Sequence, residues 1–247
     1  MKRLLILGGT AEARDLAQSV AERLAGRAEA VTSWAGRTGR VPDVAGETRV
    51  GGFGGTQGLV DYIRAENIAA VIDATHPFAE AISDHAHDAA LIAGVPRLCV
   101  VRPQWHLPPS GRWVEVVDMA AAAEAVGRFS KRAFLTTGRQ TVAAFSAVEN
   151  VWFLVRMIDP PTDPLPLPRC DVTTGRPPFA LEHELELMRA NRIDTLVTKS
   201  SGGAVPAKIA AALELGLPIV VVAPPAPAPG SRAETVTAAI AWIERQL

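Results

Sequence analysis

The sequence predicts an α/β protein of two Rossmann-like lobes, with mainly parallel sheets flanked by helices and an active-site cleft between them. Three observations carry this prediction. Short Val/Ile/Leu-rich runs alternate with longer Ala-rich segments of helical period along the whole chain. Hydrophobic residues make up 48% but aromatics only 5%, so the core is aliphatic, as where helices pack on a buried parallel sheet. Glycine- and hydroxyl-bearing stretches recur where expected strands end and expected helices begin.

In the first half, expected strands cover Arg3–Leu7, Ala28–Ser33, Ala70–Ala74 and Leu98–Val101, and expected helices cover Ala11–Leu24, Gly58–Glu66 and Ala79–Ala93. Pro103, Pro108, Pro109, Ser110 and Gly111 then break the alternation, so the boundary falls in 102–112 and the lobes span 1–103 and 113–247. In the second half, strands are expected at Trp113–Val117, Ala133–Thr136, Val151–Val155, Thr195–Thr198 and Ile219–Val222. Helices are expected at Met119–Phe129, Thr141–Ala147, Leu181–Asn191, Val205–Leu215 and Ala233–Gln246. The Pro-rich stretch Ala223–Pro229 reads as an extended connector, after which the last helix can pack on either lobe.

Bulk properties narrow the function. A formal net charge of −1 gives no global field for nucleic acid or an acidic membrane, so neither is an expected partner. An anionic ligand must be held by local Arg and Lys groups. Cys99 and Cys170 have no zinc-ligand spacing and read as reduced thiols. The apolar run at Leu4–Leu7 is too short for a signal peptide, and no stretch is long enough to span a bilayer, so a cytoplasmic location is expected. Neither a nucleophile elbow nor a Walker A lysine motif is present.

The first candidate motif is Leu7-Gly8-Gly9-Thr10-Ala11-Glu12-Ala13-Arg14, between strand one and helix one. Gly9 lets the backbone approach a phosphate, and Thr10 is a natural N-cap ahead of the free N–H groups of Ala11 and Glu12. It differs from the usual GxGxxG fingerprint, and Glu12 would repel a pyrophosphate unless it points away or binds a ribose hydroxyl. At the end of strand two, no acid is available for a ribose 2′-OH. Ser33, Arg37 and Arg40 are present instead, which favours a 2′-phosphate and hence NADPH. Val50-Gly51-Gly52-Phe53-Gly54-Gly55 suits close approach of backbone to ligand.

Asp73-Ala74-Thr75-His76-Pro77-Phe78-Ala79 follows a strand at the edge where open α/β sheets bind ligands, and His76 can donate a proton there. His85 and His87 do not share a helical face and read as non-ligands. In the second lobe, Thr136-Thr137-Gly138-Arg139-Gln140 and Thr198-Lys199-Ser200-Ser201-Gly202-Gly203 offer amides, hydroxyls and a cation at helix starts, suited to phosphate or carboxylate. Arg156-Met157-Ile158-Asp159-Pro160-Pro161 and Arg176-Pro177-Pro178-Phe179 occupy comparable loop positions. Each loop taken alone is equally compatible with a capped turn; their common edge argues for a site.

In this order, Leu7–Arg14, Gly51–Gly55, Asp73–Ala79, Arg102-Pro103, Thr136–Gln140, Arg156–Pro161 and Thr198–Gly203 resemble the precorrin-6A reductase family of cobalamin biosynthesis. One departure is Gly175-Arg176-Pro177-Pro178-Phe179, which is similar to the family's arginine–glycine–proline–phenylalanine segment with its glycine replaced. The resemblance implies hydride transfer from NADPH to a C=C bond of precorrin-6A, giving precorrin-6B, without metal or flavin. It implies Gly9, Thr10, Ala11, Glu12, Ser33, Arg37, Lys199, Ser200, Ser201, Gly202 and Gly203 as cofactor contacts. Thr75, His76, Arg102, Thr137, Arg139 and Gln140 would face the substrate, and His76 and Asp159 are the candidate proton donors. The expected partners are this polycarboxylate tetrapyrrole and neighbouring pathway enzymes that hand it over. Alternative readings are a cobalt-precorrin-6A reductase, a dinucleotide-binding module without turnover, and a small-molecule transferase.

Overall fold

The computed structural model describes residues 1–36, 43–106, 108–109 and 111–247. The chain divides into two units, one formed by Met1–Pro103 with Pro225–Leu247 and the other by Gln104–Pro224. Among the described residues of the first unit, strands β1 (Lys2–Leu7), β2 (Ala28–Trp34), β3 (Glu47–Val50), β4 (Ile68–Asp73), β5 (Arg97–Val100) and β12 (Ser231–Ala233) form one sheet. Their order is β12-β5-β4-β1-β2-β3, and all pairs are parallel.

Alternation along β1 shows why this is the central strand. Leu4 and Ile6 enter one core with Leu16, Val20 and Ile72, while Leu5 and Leu7 enter the opposite core with Leu59, Ile63 and Val71. Successive side chains point to opposite faces, so an unbroken apolar run requires helices on both sides. Helices α1 (Ala11–Arg23), α2 (Thr56–Ala65), α3 (Glu80–Ala93) and α7 (Val236–Glu244) supply them. The register sets Leu7 opposite Ser33 on one neighbour and Asp73 on the other. The three following loops therefore leave the sheet at one level.

The second unit repeats the architecture with β6 (Trp113–Val116), β7 (Arg132–Leu135), β8 (Trp152–Met157), β9 (Cys170–Thr174), β10 (Thr195–Lys199) and β11 (Ile219–Val222). Its parallel order is β6-β11-β10-β7-β8-β9. It carries α4 (Met119–Phe129), a 3-10 helix (Arg139–Phe145), α5 (Leu181–Ala190) and α6 (Ala207–Glu214).

Three features differ from the sequence expectation. The C-terminal segment does not complete the lobe expected at 113–247: β12 pairs with β5, and Ile240 and Ile243 of α7 enter the first unit's core. The segment expected as a helix at Thr141–Ala147 is a 3-10 helix that begins at Arg139. Strands β3, β9 and β12 were not expected from the sequence; each is a sheet edge and largely solvent-facing, so none carries an apolar run. No helix among the described residues is long and apolar enough to cross a membrane.

Candidate functional site

In the first unit, chain order reverses direction across the sheet between β1 and β4, the position where open α/β sheets bind ligands. Two loops meet there. Thr10 Oγ1 caps α1 by accepting from the Ala13 amide at 3.3 Å and donates to the Ala74 carbonyl at 2.7 Å, locking the turn after β1 to the loop after β4. The close fit demands glycine. A Cβ at Gly8 would come within 3.0 Å of the Trp34 ring and 3.2 Å of the Ser33 carbonyl, and Gly9 has φ +148°.

Behind the loop, buried Asp73 accepts from Thr75 Oγ1 at 2.8 Å and from Arg97 Nη2 at 3.2 Å. Thr75 Oγ1 also lies 3.2 Å from Ser83 Oγ, so its orientation is fixed from two sides. His76 Nδ1 accepts from the Phe78 amide at 3.2 Å. In the neutral ring the proton then sits on Nε2. Glu12, in the first turn of α1, accepts from Arg102 Nη2 at 2.5 Å. Burial alone pushes the Glu12 carboxyl up, but the Arg102 hydrogen bond and charge, together with hydrogen bonds from the Glu12 amide and Thr10, hold the group below its ordinary value. The repulsion expected between Glu12 and a phosphate is thereby offset by a guanidinium from beyond β5.

At the ends of β2 and β3 the register sets Ser33 beside Arg49. Arg49 Nη1 donates to Ser33 Oγ at 3.1 Å and to the Gly51 carbonyl at 2.6 Å, and Nη2 donates to the Gly52 carbonyl at 2.8 Å. Its guanidinium lies 3.8 Å from the Phe53 ring centroid. One arginine thus organises the glycine-rich loop and puts positive charge beside Ser33.

In the second unit the direction reverses between β7 and β10. Thr136 Oγ1 donates to the Val197 carbonyl at 2.9 Å, tying the ends of these strands together. Thr137 is buried, and its Oγ1 has no partner among the described residues. Arg139 lies exposed at the start of the 3-10 helix with Nη2 3.3 Å from Thr162 Oγ1, and Gln140 follows it on the surface. After β10, Ser200 is committed internally: its hydroxyl donates to Gln104 Oε1 at 3.0 Å and its amide to the Val222 carbonyl at 2.8 Å. Burial lowers the Lys199 pKa. Arg156 is no loop-end cation. It makes a bidentate pair with Glu184 at 2.5 and 2.9 Å and lies 4.0 Å from the Phe179 ring centroid.

The model of the family Precorrin-6x reductase CbiJ/CobK matches residues 3–244. The chain belongs to that family. Precorrin-6A reductase of Rhodococcus erythropolis is 45% identical over 245 residues, 98% of each chain. Precorrin-6A reductase of Rhodobacter capsulatus is 41% identical over 244 residues, 98% of this chain and 96% of its own. The solved structure of CobK precorrin-6A reductase matches at 41% identity with a TM-score of 0.92, covering 100% of this chain and 97% of that one.

For this member of the reductase family, the structure brings Gly9, Thr10, Ala11, Glu12, Thr75, His76 and Arg102 to one edge of the first sheet. Ser33 lies on the same edge, one strand away. Thr137, Arg139, Gln140, Lys199, Ser200, Ser201, Gly202 and Gly203 lie on the corresponding edge of the second sheet. Asp159 follows β8, exposed and 3.1 Å from Arg176 Nη2. Arg37 and Arg40 lie outside the described residues. Arg49 was missed from sequence; its signal is the register with Ser33, which requires recognising β3. Among the described residues no group of three or more His, Cys, Asp and Glu could hold a metal ion.

Proposed function

We propose that this protein reduces a C=C bond of precorrin-6A with NADPH to give precorrin-6B, in the cytoplasm. The observation that carries the reading is the family match across residues 3–244, joined to a phosphate-compatible turn at the β1/β4 reversal. NADPH when bound supplies the hydride, and the protein's task is orientation. The Gly8–Gly9 turn and the free amides at the start of α1 suit the pyrophosphate, with Thr10 holding that turn in place. Arg102 offsets the Glu12 charge in the same turn. Arg49, held against Ser33, suits the 2′-phosphate and favours NADPH over NADH.

Substrate carboxylates call for cations, and exposed Arg139 with neighbouring Gln140 suits one of them. Reduction also requires a proton at the carbon next to the hydride acceptor. His76 is the better of the two candidate donors, because it follows β4 at the strand reversal and the Phe78 amide orients its ring through Nδ1. Asp159 is already engaged with Arg176 at an exposed position.

The test is incubation of the purified protein with precorrin-6A and NADPH. The expected result is loss of the nicotinamide absorbance together with a product heavier by two hydrogens. NADPH binding with no oxidation in the presence of substrate would instead support a dinucleotide-binding module.

A further inference from the structure

Lys208, in the first turn of α6, carries a charge that no ion pair among the described residues balances. Its Nζ donates to Thr136 Oγ1 at 2.9 Å, beneath the end of β7, and an ammonium has three protons to give. The charged groups that act on it are Arg156 from β8, Lys199 from β10 and Glu184 from α5. Glu184 is the sole carboxylate among them, and both its oxygens are taken by Arg156. Among the described residues Lys208 is therefore left with no carboxylate of its own, a positive excess in a partly buried place at the strand reversal of the second sheet. Such an excess is costly without an anion nearby. Next to Thr136 in the same loop, the Thr137 hydroxyl is buried and has no partner among the described residues.

We propose that Lys208 is an oxyanion-binding residue of the reaction: its ammonium, seated on Thr136, takes a carboxylate of the substrate rim or a phosphate of the dinucleotide. The proposal rests on the reductase reading above. Burial, then the neighbouring Arg156, lowers the Lys208 pKa to about 8. A lysine is charged below its pKa, so the affinity it provides is present at neutral pH and lost as pH rises through that value.

The experiment compares wild type, Lys208→Met and Lys208→Arg. Turnover of precorrin-6A by wild type is the first readout, and its absence would defeat the reductase reading whatever Lys208 does. With turnover in hand, KM for precorrin-6A and Kd for NADPH are measured across pH 7–9. The Met variant should weaken one of these constants about tenfold to a hundredfold, the range for one charge-assisted hydrogen bond. A rise in KM alone identifies a substrate carboxylate, and a rise in Kd alone identifies a cofactor phosphate. The Arg variant should restore most of the loss and abolish the weakening near pH 8 that wild type shows. Both constants within twofold of wild type in a folded Met variant would overturn the proposal. So would identical pH profiles for wild type and the Arg variant, a comparison that stands even if the Met variant does not fold.

Discussion

Replacing Thr10 by Val tests how the first unit's loops are fixed. Valine keeps the branched shape but removes the hydroxyl, which is buried and makes two bonds. Losing the cap of α1 costs about 1 kcal/mol. Leaving the Ala74 carbonyl without its 2.7 Å donor costs about 1–3 kcal/mol more. The expected loss is therefore about 2–4 kcal/mol, or roughly 4–16 °C in Tm for a chain of this size. Thr10→Ser retains the hydroxyl and should recover most of it. The assay is urea unfolding followed by circular dichroism, with NADPH titration on the folded variants, where Thr10→Val should also bind more weakly. A Thr10→Val protein within about 0.5 kcal/mol of wild type would refute the claim that this hydroxyl holds the two loops together.

Arg49→Ala should weaken NADPH much more than NADH in parallel titrations, and equal losses would remove it from 2′-phosphate recognition. Because the Glu12 pKa is lowered in the folded state, its contribution to stability is present above the unfolded value near 4.3 and fades as pH falls through the folded value. The difference in urea midpoint between wild type and Glu12→Gln should thus hold steady at neutral pH and shrink in acid below about pH 4. His76→Gln should fold normally and bind both reactants, with kcat reduced about a hundredfold or more, as for loss of a general acid; kcat near wild type would reject His76 as proton donor.

Much of the architecture was legible because burial and sequence pattern coincide. The α4 range Met119–Phe129 and the β11 range Ile219–Val222 were read from sequence alone; Asp118 caps the helix at 2.8 Å and all four strand residues are buried. The turn after β1 was legible because Gly8-Gly9-Thr10 combines conformational freedom with a capping hydroxyl. Three of the four edge strands escaped notice because solvent on one side permits polar residues: Cys170–Thr174 carries no apolar run, whereas the edge strand Trp113–Val116 keeps its Trp and Val residues and was legible. The home of α7 was not legible either, since its apolar face suits any aliphatic core and the three-residue pairing of Ser231–Ala233 with β5 decides it. Long-range electrostatics left the least trace. Nothing near Arg156 in sequence announces Glu184, and Lys208 reads as an ordinary helix lysine until its seat on Thr136 is seen.

The central claim is direct hydride delivery from the nicotinamide to a macrocycle carbon. NADPH carrying deuterium at the transferable position, tried separately on each face, measures it. One of the two labelled cofactors should put a single deuterium on carbon in the reduced product, with no loss to water. Product that carries no label with either cofactor, while NADPH is still consumed, would contradict it.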